Sequence, residues 1–183
     1  MKIESAIKKA YFDLKGKNIK TALLDSEILM SKVLKEERTS VLLNSERILS
    51  DQDYKFFKKL ISNRLKYKPI AYLIGKKSFW KYEFELNDKV LIPRPDTELM
   101  VEQVLRIYKN KDKINFLEIG VGSGCIILSI LKERKSFLGK GIDLSKDSIK
   151  ICEKNAFMLR VNNRIKIHKS DIDNFSLGKY DLI

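Results

Sequence analysis

Residues 114–124, "INFLEIGVGSG", contain the pattern that decides the fold class. An apolar run typical of a buried strand meets three closely spaced glycines, and the apolar helical segment "CIILSILKER" follows. The same alternation continues through "FLGKGID", "SKDSIKICEKNAFML" and "RIKIH" to "KYDLI" at residues 179–183, which we predict to be a fourth strand. Apolar strands that alternate with helices of this length predict a parallel, doubly wound sheet in an α/β protein.

The segment Glu118-Ile119-Gly120-Val121-Gly122-Ser123-Gly124 lies at a strand-to-helix junction, where α/β sheets bind ligands at the carboxyl edge. A phosphate-binding loop would need Gly-Lys-Ser/Thr, whereas Cys125 follows Gly124. A nicotinamide fingerprint needs GxGxxG, whereas the spacing here is GxGxG after an acidic residue. The third alternative is a loop for S-adenosylmethionine, in which Glu118 faces the ammonium group of the ligand.

Two further carboxylates follow the next strands. Asp143 ends "GKGID" and can accept hydrogen bonds from both ribose hydroxyls of a nucleoside, in nicotinamide enzymes as well. Asp171 could accept from an adenine amino group while Ile172 packs on the ring, although Asp after a strand is ordinarily turn chemistry. The combination of loop, Asp143 and Asp171 favours S-adenosylmethionine over a nicotinamide cofactor.

Upstream of the sheet, the sequence predicts two other regions. Residues 1–75 show helical apolar spacing, and in "TALLDSEILMSKVL" we expect Leu24, Ile28 and Val33 to form the buried stripe, widened by Leu23 and Leu34. Residues 76–92 alternate with period two around Trp80, Tyr82, Phe84 and Leu86, and Asn87-Asp88 then turns the chain into "KVLI", which predicts a β-hairpin linker. Residues 93–183 form the sheet domain, which begins with a helix set by Pro95.

Composition leaves two interpretations of charge open. The formal net charge is +13, which suits a nucleic-acid partner, but 29 lysines against 8 arginines favour a compositional bias. We predict free thiols at Cys125 and Cys152, no metal site around the single histidine His168, and a cytoplasmic chain with no membrane segment.

The chain resembles the HemK/PrmC family of protein-glutamine methyltransferases, which modify peptide chain release factors. The resemblance covers nearly the whole chain and is carried by "KPIAYLIG" (68–75), "FW" (79–80), "LEIGVGSG", "GIDLS" and "KSD", and most specifically by "IPRPDTE" (92–98). It implies a helical domain over residues 1–75 that engages the release factor, a hairpin linker, and the first half of a class I, Rossmann-like, S-adenosylmethionine-dependent methyltransferase sheet.

The resemblance also implies residue roles and a reaction. The residues from Gly120 to Gly124 would wrap the methionine part of S-adenosylmethionine, Asp143 the ribose, and Asp171 and Ile172 the adenine, while Arg94, Pro95, Asp96 and Thr97 would shape the cofactor lid. The methyl group would pass to the glutamine amide nitrogen of a Gly-Gly-Gln loop, close to the ribosome.

The family holds that amide with an Asn-Pro-Pro-Tyr segment after the fourth strand, and these 183 residues do not contain it. We expect the segment to lie beyond Ile183, so no residue here is predicted to be catalytic. We therefore expect the 183 residues alone to bind S-adenosylmethionine weakly or not at all and not to methylate a release factor. The alternatives are an inactive remnant that at most binds release factor, and an adenine or ribosomal RNA methyltransferase.

Overall fold

The computed structural model describes residues 1–176 and 178–183. The chain folds into two compact units, Met1–Ile74 and Gly75–Ile183. The first unit is helical, as predicted, and its helices are α1 (Ile3–Lys15), α2 (Ala22–Leu34), α3 (Arg38–Leu43), α4 (Asp51–Leu65) and α5 (Ile70–Ile74). No helix among the described residues is long and apolar enough to span a membrane.

Local chemistry sets the ends of these helices. The Ser50 hydroxyl accepts a hydrogen bond from the Asp53 backbone N–H at 3.0 Å and so caps α4. Helix α2 ends at Leu34, and the following residue, Lys35, takes a left-handed conformation with φ of 56°. The apolar faces of the helices meet in one core whose most buried members include Ile3, Leu14, Leu29, Met30 and Phe57.

The buried stripe of α2 differs from the prediction. Leu23 and Leu24 are exposed, whereas Asp25 is only 3% exposed. The Asp25 carboxylate accepts hydrogen bonds from Thr21 Oγ1 at 2.9 Å and from Arg64 Nε at 2.7 Å. Because these partners compensate a buried charge, α2 can turn the Asp25 carboxylate inward and leave Leu23 and Leu24 exposed. The spacing of apolar residues alone does not predict this orientation of the helix.

The second unit begins with a hairpin of β1 (Lys76–Phe79) and β2 (Tyr82–Glu85), paired antiparallel from Lys76↔Glu85 to Phe79↔Tyr82. The predicted hairpin exists, and the chain does turn after Asn87, where Val90 N–H donates to the Asn87 carbonyl at 3.3 Å. That turn is not the turn of the hairpin, however, and residues 89–92 form no strand. The chain turns at Trp80-Lys81, where Trp80 has a positive φ of 56°. The Glu133 carboxylate holds this turn by accepting from Trp80 Nε1 at 3.0 Å, Lys81 Nζ at 3.0 Å and Tyr82 Oη at 2.9 Å.

The remaining elements alternate as predicted. A 3-10 turn over Pro95–Thr97 leads into α6 (Glu98–Ile107), followed by β3 (Asn115–Ile119), α7 (Cys125–Glu133), β4 (Leu138–Asp143), α8 (Lys146–Met158) and β5 (Ile165–Lys169). The three strands are parallel in the order β3-β4-β5, with Glu118 opposite Gly141 and Ile142 opposite His168. The core of this unit includes Phe79, Phe84, Val101, Ile127, Leu128 and Phe137.

The predicted fourth strand is present only as a single parallel bridge, between Phe116 and Leu182. Leu117 N–H donates to the Leu182 carbonyl at 3.0 Å, and Asp181 N–H donates to the Asn115 carbonyl at 2.8 Å. Residues 181–182 therefore pair with β3, which pairs with β4, and β4 in turn pairs with β5.

Candidate ligand site at the carboxyl edge of the sheet

The turn from β3 into α7 is built on three glycines with positive φ: Gly120 at 74°, Gly122 at 52° and Gly124 at 80°. Residues other than glycine are strained at positive φ because their Cβ atom clashes with the backbone. A Cβ on Gly124 would also lie 2.6 Å from the Cys152 Sγ, whereas a Cβ on Gly120 would meet nothing within 4 Å. Gly124 is thus required for packing, and Gly120 faces open space in which a ligand can approach the backbone.

The Glu118 side chain lies beneath this turn. One of its carboxylate oxygens accepts a hydrogen bond from the Ile127 backbone N–H at 2.9 Å, at the first turn of α7. Burial raises the pKa of Glu118 to about 8; the Ile127 hydrogen bond opposes this shift, and the nearby charge of Asp143 adds to it. The carboxyl group can therefore change its charge when a cation binds beside it.

The Asp143 side chain, at the end of β4, connects two loops. Its carboxylate oxygens accept hydrogen bonds from Gly122 N–H at 2.9 Å and from Ser145 N–H at 2.8 Å. The carboxylate thus lies between the glycine turn and the start of α8, which the Ser145 hydroxyl caps through Ser148 N–H. The structure brings Gly122 and Asp143 together, as the predicted site requires.

The two other predicted residues, Asp171 and Ile172, follow β5 and are less closely connected to the glycine turn. Ser170 N–H donates to the Asp143 carbonyl at 3.1 Å, which brings the segment after β5 beside the end of β4. The Asp171 carboxylate accepts from Asp173 N–H at 3.3 Å and caps its own turn, and Ile172 is 44% exposed. Asp171 therefore has the turn role that sequence reasoning offered as its alternative.

Arg94, Pro95 and Asp96 are exposed, and Thr97 is half-buried at the end of their 3-10 turn. Across residues 1–176 and 178–183, no hydrogen bond joins the side chains of these residues to the glycine turn. The preceding segment does approach the turn: Val90 is buried, and its Cγ1 lies 3.9 Å from the position of a Cβ on Gly122.

Sequence reasoning missed Asn155 of α8, which is fully buried. Its side-chain amide donates to the Ser123 carbonyl at 2.9 Å and to the Glu85 carbonyl at 3.1 Å, and accepts from Glu85 N–H at 2.8 Å. The available signal was an Asn three residues after Cys152 and next to Ala156, on the apolar stripe of the helix. A polar residue in that position needs buried partners.

The remaining reactive side chains do not form a second centre. In the part of the chain that the structure describes, no group of three or more His, Cys, Asp or Glu side chains is arranged to hold a metal ion. Cys125 and Cys152 are free, and burial beside Glu118 raises the pKa of the Cys125 thiol to about 12. His168 is exposed on β5, with its ring 6.3 Å from that of Phe175.

Comparison with known proteins gives matches to both units. A family model described as the PrmC N-terminal domain matches residues 5–75. The release factor glutamine methyltransferase of Buchnera aphidicola is 39% identical over 177 residues, covering 95% of this chain and 64% of the relative. The corresponding protein of Leptospira interrogans is 37% identical, covering 93% and 60%, and a bifunctional methyltransferase of Rickettsia felis is 32% identical, covering 99% and 40%.

Solved structures give weaker similarities. An RNA methyltransferase from Salinibacter ruber in complex with S-adenosyl-L-homocysteine covers 46% of this chain and 53% of that protein, with 21% identity and a TM-score of 0.40. A methyltransferase from Thiobacillus denitrificans covers 48% and 34%, with 22% identity and a TM-score of 0.41.

The sequence relatives match along almost the whole of this chain, although the chain spans less than two thirds of their own length. The matches run through the helical unit and onward into the unit that carries the glycine turn. The chain is therefore similar to release factor glutamine methyltransferases along almost its whole length, and its residues 5–75 match the PrmC N-terminal domain.

Proposed function

We propose that this chain supplies the cofactor-binding part and the N-terminal domain of an enzyme that methylates peptide chain release factors. The observation that carries the proposal is the glycine turn of Gly120–Gly124, set between the Glu118 and Asp143 carboxylates at the carboxyl edge of a parallel sheet. This is the edge at which α/β sheets bind nucleotides. The sequence relatives are release factor glutamine methyltransferases, which supports a glutamine of a release factor as the proposed substrate.

The groups at this edge of the sheet suit S-adenosylmethionine. The open space at Gly120 admits a ligand against the backbone, and Glu118 can ionise opposite an ammonium group. Each Asp143 oxygen accepts one backbone hydrogen bond and keeps a lone pair for a ribose hydroxyl. In the proposed site, Val121, Gly122, Ser123 and Gly124 complete the turn around the methionine part, Asp171 and Ile172 flank the adenine, and Arg94, Pro95 and Thr97 cover the ligand.

When bound, S-adenosylmethionine supplies a methyl group on a sulfonium sulfur. The accepting amide nitrogen is a poor nucleophile because its lone pair is delocalised into the carbonyl, so the protein must position it and accept hydrogen bonds from its NH2 group. The family uses an Asn-Pro-Pro-Tyr segment for this step, and the 183 residues do not contain that segment. In the proposal, the residues present therefore bind and orient the cofactor. Because release factors act in translation, the proposed site of action is the cytoplasm, near the ribosome.

Calorimetric titration with S-adenosylmethionine and S-adenosylhomocysteine tests the cofactor assignment. We expect saturable binding weaker than the low micromolar range, and we expect Asp143→Asn to abolish it because the substitution removes the charge that ribose hydroxyls contact. Asp147→Asn, an exposed carboxylate on α8, is the matched control and should bind like the unaltered chain. Equal binding by the Asp143 and Asp147 variants would contradict the proposed site.

The protein substrate is tested separately. The chain should bind a release factor that carries a Gly-Gly-Gln loop, measured by fluorescence anisotropy of the labelled factor, with no methylated glutamine found by mass spectrometry. Failure to bind the factor would reject the proposed recognition role of the helical unit. A methylated glutamine would mean that residues within 1–183 are sufficient for catalysis.

A further inference from the structure

The Asn155 side chain makes an unusually complete set of contacts with the backbone. It is 0% exposed and joins two segments that are distant in sequence, Glu85 at the end of β2 and Ser123 in the glycine turn. Its Oδ1 accepts from Glu85 N–H at 2.8 Å, while its Nδ2 donates to the Glu85 carbonyl at 3.1 Å and to the Ser123 carbonyl at 2.9 Å. Both amide hydrogens and the amide oxygen are thus used.

The Asn155 amide gives the backbone of Glu85 the two hydrogen bonds that a neighbouring strand would give. The side-chain amide satisfies both the N–H and the carbonyl of one residue, so β2 can end inside the unit without leaving unpaired polar groups. The second amide hydrogen fixes the carbonyl of Ser123, which belongs to the peptide group between Ser123 and Gly124. A carboxylate of the same shape has no hydrogen to donate to either carbonyl, so Asn is the residue type that this position requires.

We infer that Asn155 is a positioning residue that couples the hairpin to the cofactor turn, so that displacement of either segment disturbs the other. The inference rests on the proposed function for its ligand, but the coupling itself is a property of these three hydrogen bonds. Lys154, the preceding residue, forms an ion pair with the Glu85 side chain and leads to the same strand end from the surface. Of these two α8 residues, Asn155 is the one whose side chain connects that strand end with Ser123.

Hydrogen–deuterium exchange tests the coupling without a ligand. In Asn155→Ala, we expect amide exchange to become about tenfold faster in peptides covering residues 83–87 and 120–125, since both lose a buried hydrogen-bond partner. Peptides from α6 and from the interior of α7 should exchange as before. Asn162→Ala removes an exposed asparagine and serves as the matched control, with no change expected in either segment.

Faster exchange spread evenly over the second unit would overturn the inference, because it would mean a general loss of stability. Exchange that rises in only one of the two segments would also overturn it. Asn155→Ser keeps one hydroxyl donor and provides a milder variant if the alanine variant does not fold. The same exchange pattern, at smaller amplitude, is then expected.

Ligand binding provides the second measurement. The affinity of Asn155→Ala for S-adenosylhomocysteine should fall about tenfold, which corresponds to about 1.4 kcal/mol, while Lys154→Gln should keep the affinity of the unaltered chain. In the unaltered chain the ligand should also slow exchange at residues 83–87. If the unaltered chain binds no ligand, the proposed function fails, and the exchange pattern of the ligand-free variants still decides whether Asn155 couples the two segments.

Discussion

Glu118 lies under the glycine turn with a pKa of about 8, far above its ordinary value of 4.5. The folded protein therefore keeps a proton that the unfolded chain loses at a lower pH. Stability is unaffected by this group below about pH 4.5, falls as the pH rises from there to about 8, and is constant above that. The cost at high pH is the cost of a carboxylate charge held away from water.

Replacing Glu118 by glutamine should remove this pH dependence. Glutamine keeps an oxygen that can accept from Ile127 N–H. The unfolding free energy of Glu118→Gln relative to that of the unaltered chain should therefore rise by roughly 2–4 kcal/mol from pH 5 to pH 8.5. Urea unfolding at the two pH values measures the difference. Glu153→Gln, an exposed position on α8, is the control, and an equal gain there would contradict the assignment to Glu118.

Two glycines of the same turn should respond differently to alanine. Gly120→Ala meets only the strain of a positive φ, about 1–2 kcal/mol. In Gly124→Ala the new Cβ would lie 2.6 Å from the Cys152 Sγ and 2.7 Å from the Leu128 Cδ1, so a further 1–3 kcal/mol, roughly, is expected from overpacking. Free energies of unfolding measure both variants, and equal losses would refute the packing argument.

At the scale of elements, one carboxylate at the end of α7 holds the turn of the hairpin. Glu133→Ala removes the acceptor of Trp80, Lys81 and Tyr82 at once and should cost about 1–3 kcal/mol of unfolding free energy. Because Trp80 is the only tryptophan, a red shift of its fluorescence reports the local change. Glu133→Gln keeps one acceptor oxygen and should lose less unfolding free energy. Glu153→Ala should lose almost none. A loss in Glu153→Ala equal to that in Glu133→Ala would contradict the role of Glu133.

In the helical unit, the pair of Asp25 and Arg64 links α2 to α4. Asp25→Ala leaves the guanidinium of Arg64 without its carboxylate in a largely buried position, and we expect a loss of about 2–4 kcal/mol. Glu46→Ala breaks an ion pair with Lys2 in which both side chains are more than half exposed, and should change stability far less. Chemical unfolding compares the two, and similar losses would show that burial does not decide their strength.

These elements also show where prediction from sequence succeeds and where it stops. The strands and helices after residue 98 follow from local periodicity, which each segment carries within itself. The turn at Trp80-Lys81 does not, because the composition of Asn87-Asp88 is more typical of a turn and the stabilising Glu133 lies 53 residues from Trp80. The outward Leu23 and Leu24 have the same origin, since the inward Asp25 depends on Arg64.

At the scale of the whole molecule, the net charge of +13 is a property of many separate lysines. We expect any association with single-stranded RNA to be independent of sequence and to weaken steeply with salt, disappearing near roughly 200 mM. Filter binding of two unrelated RNA sequences over a salt series measures this. Salt-resistant preference for one sequence would instead favour a dedicated nucleic-acid surface.

The candidate site was predictable to the extent that topology determines it. Glu118 and Asp143 end neighbouring parallel strands, so their proximity follows from the strand order alone. Asn155 reaches the same place from the middle of a helix, and no motif identifies it. The roles of Arg94, Pro95 and Thr97 stay predictions, because they rest on family resemblance and, within the described part of the chain, no side-chain hydrogen bond joins those residues to the turn.

The two hydrogen bonds of Asp143 have a consequence for binding thermodynamics. Since Gly122 and Ser145 already hold the carboxylate, the loops after β3 and β4 are fixed relative to each other before any ligand arrives. Such preorganisation means that association loses little conformational entropy in these loops. The calorimetric signature of nucleoside binding should therefore contain only a small entropic penalty from loop ordering.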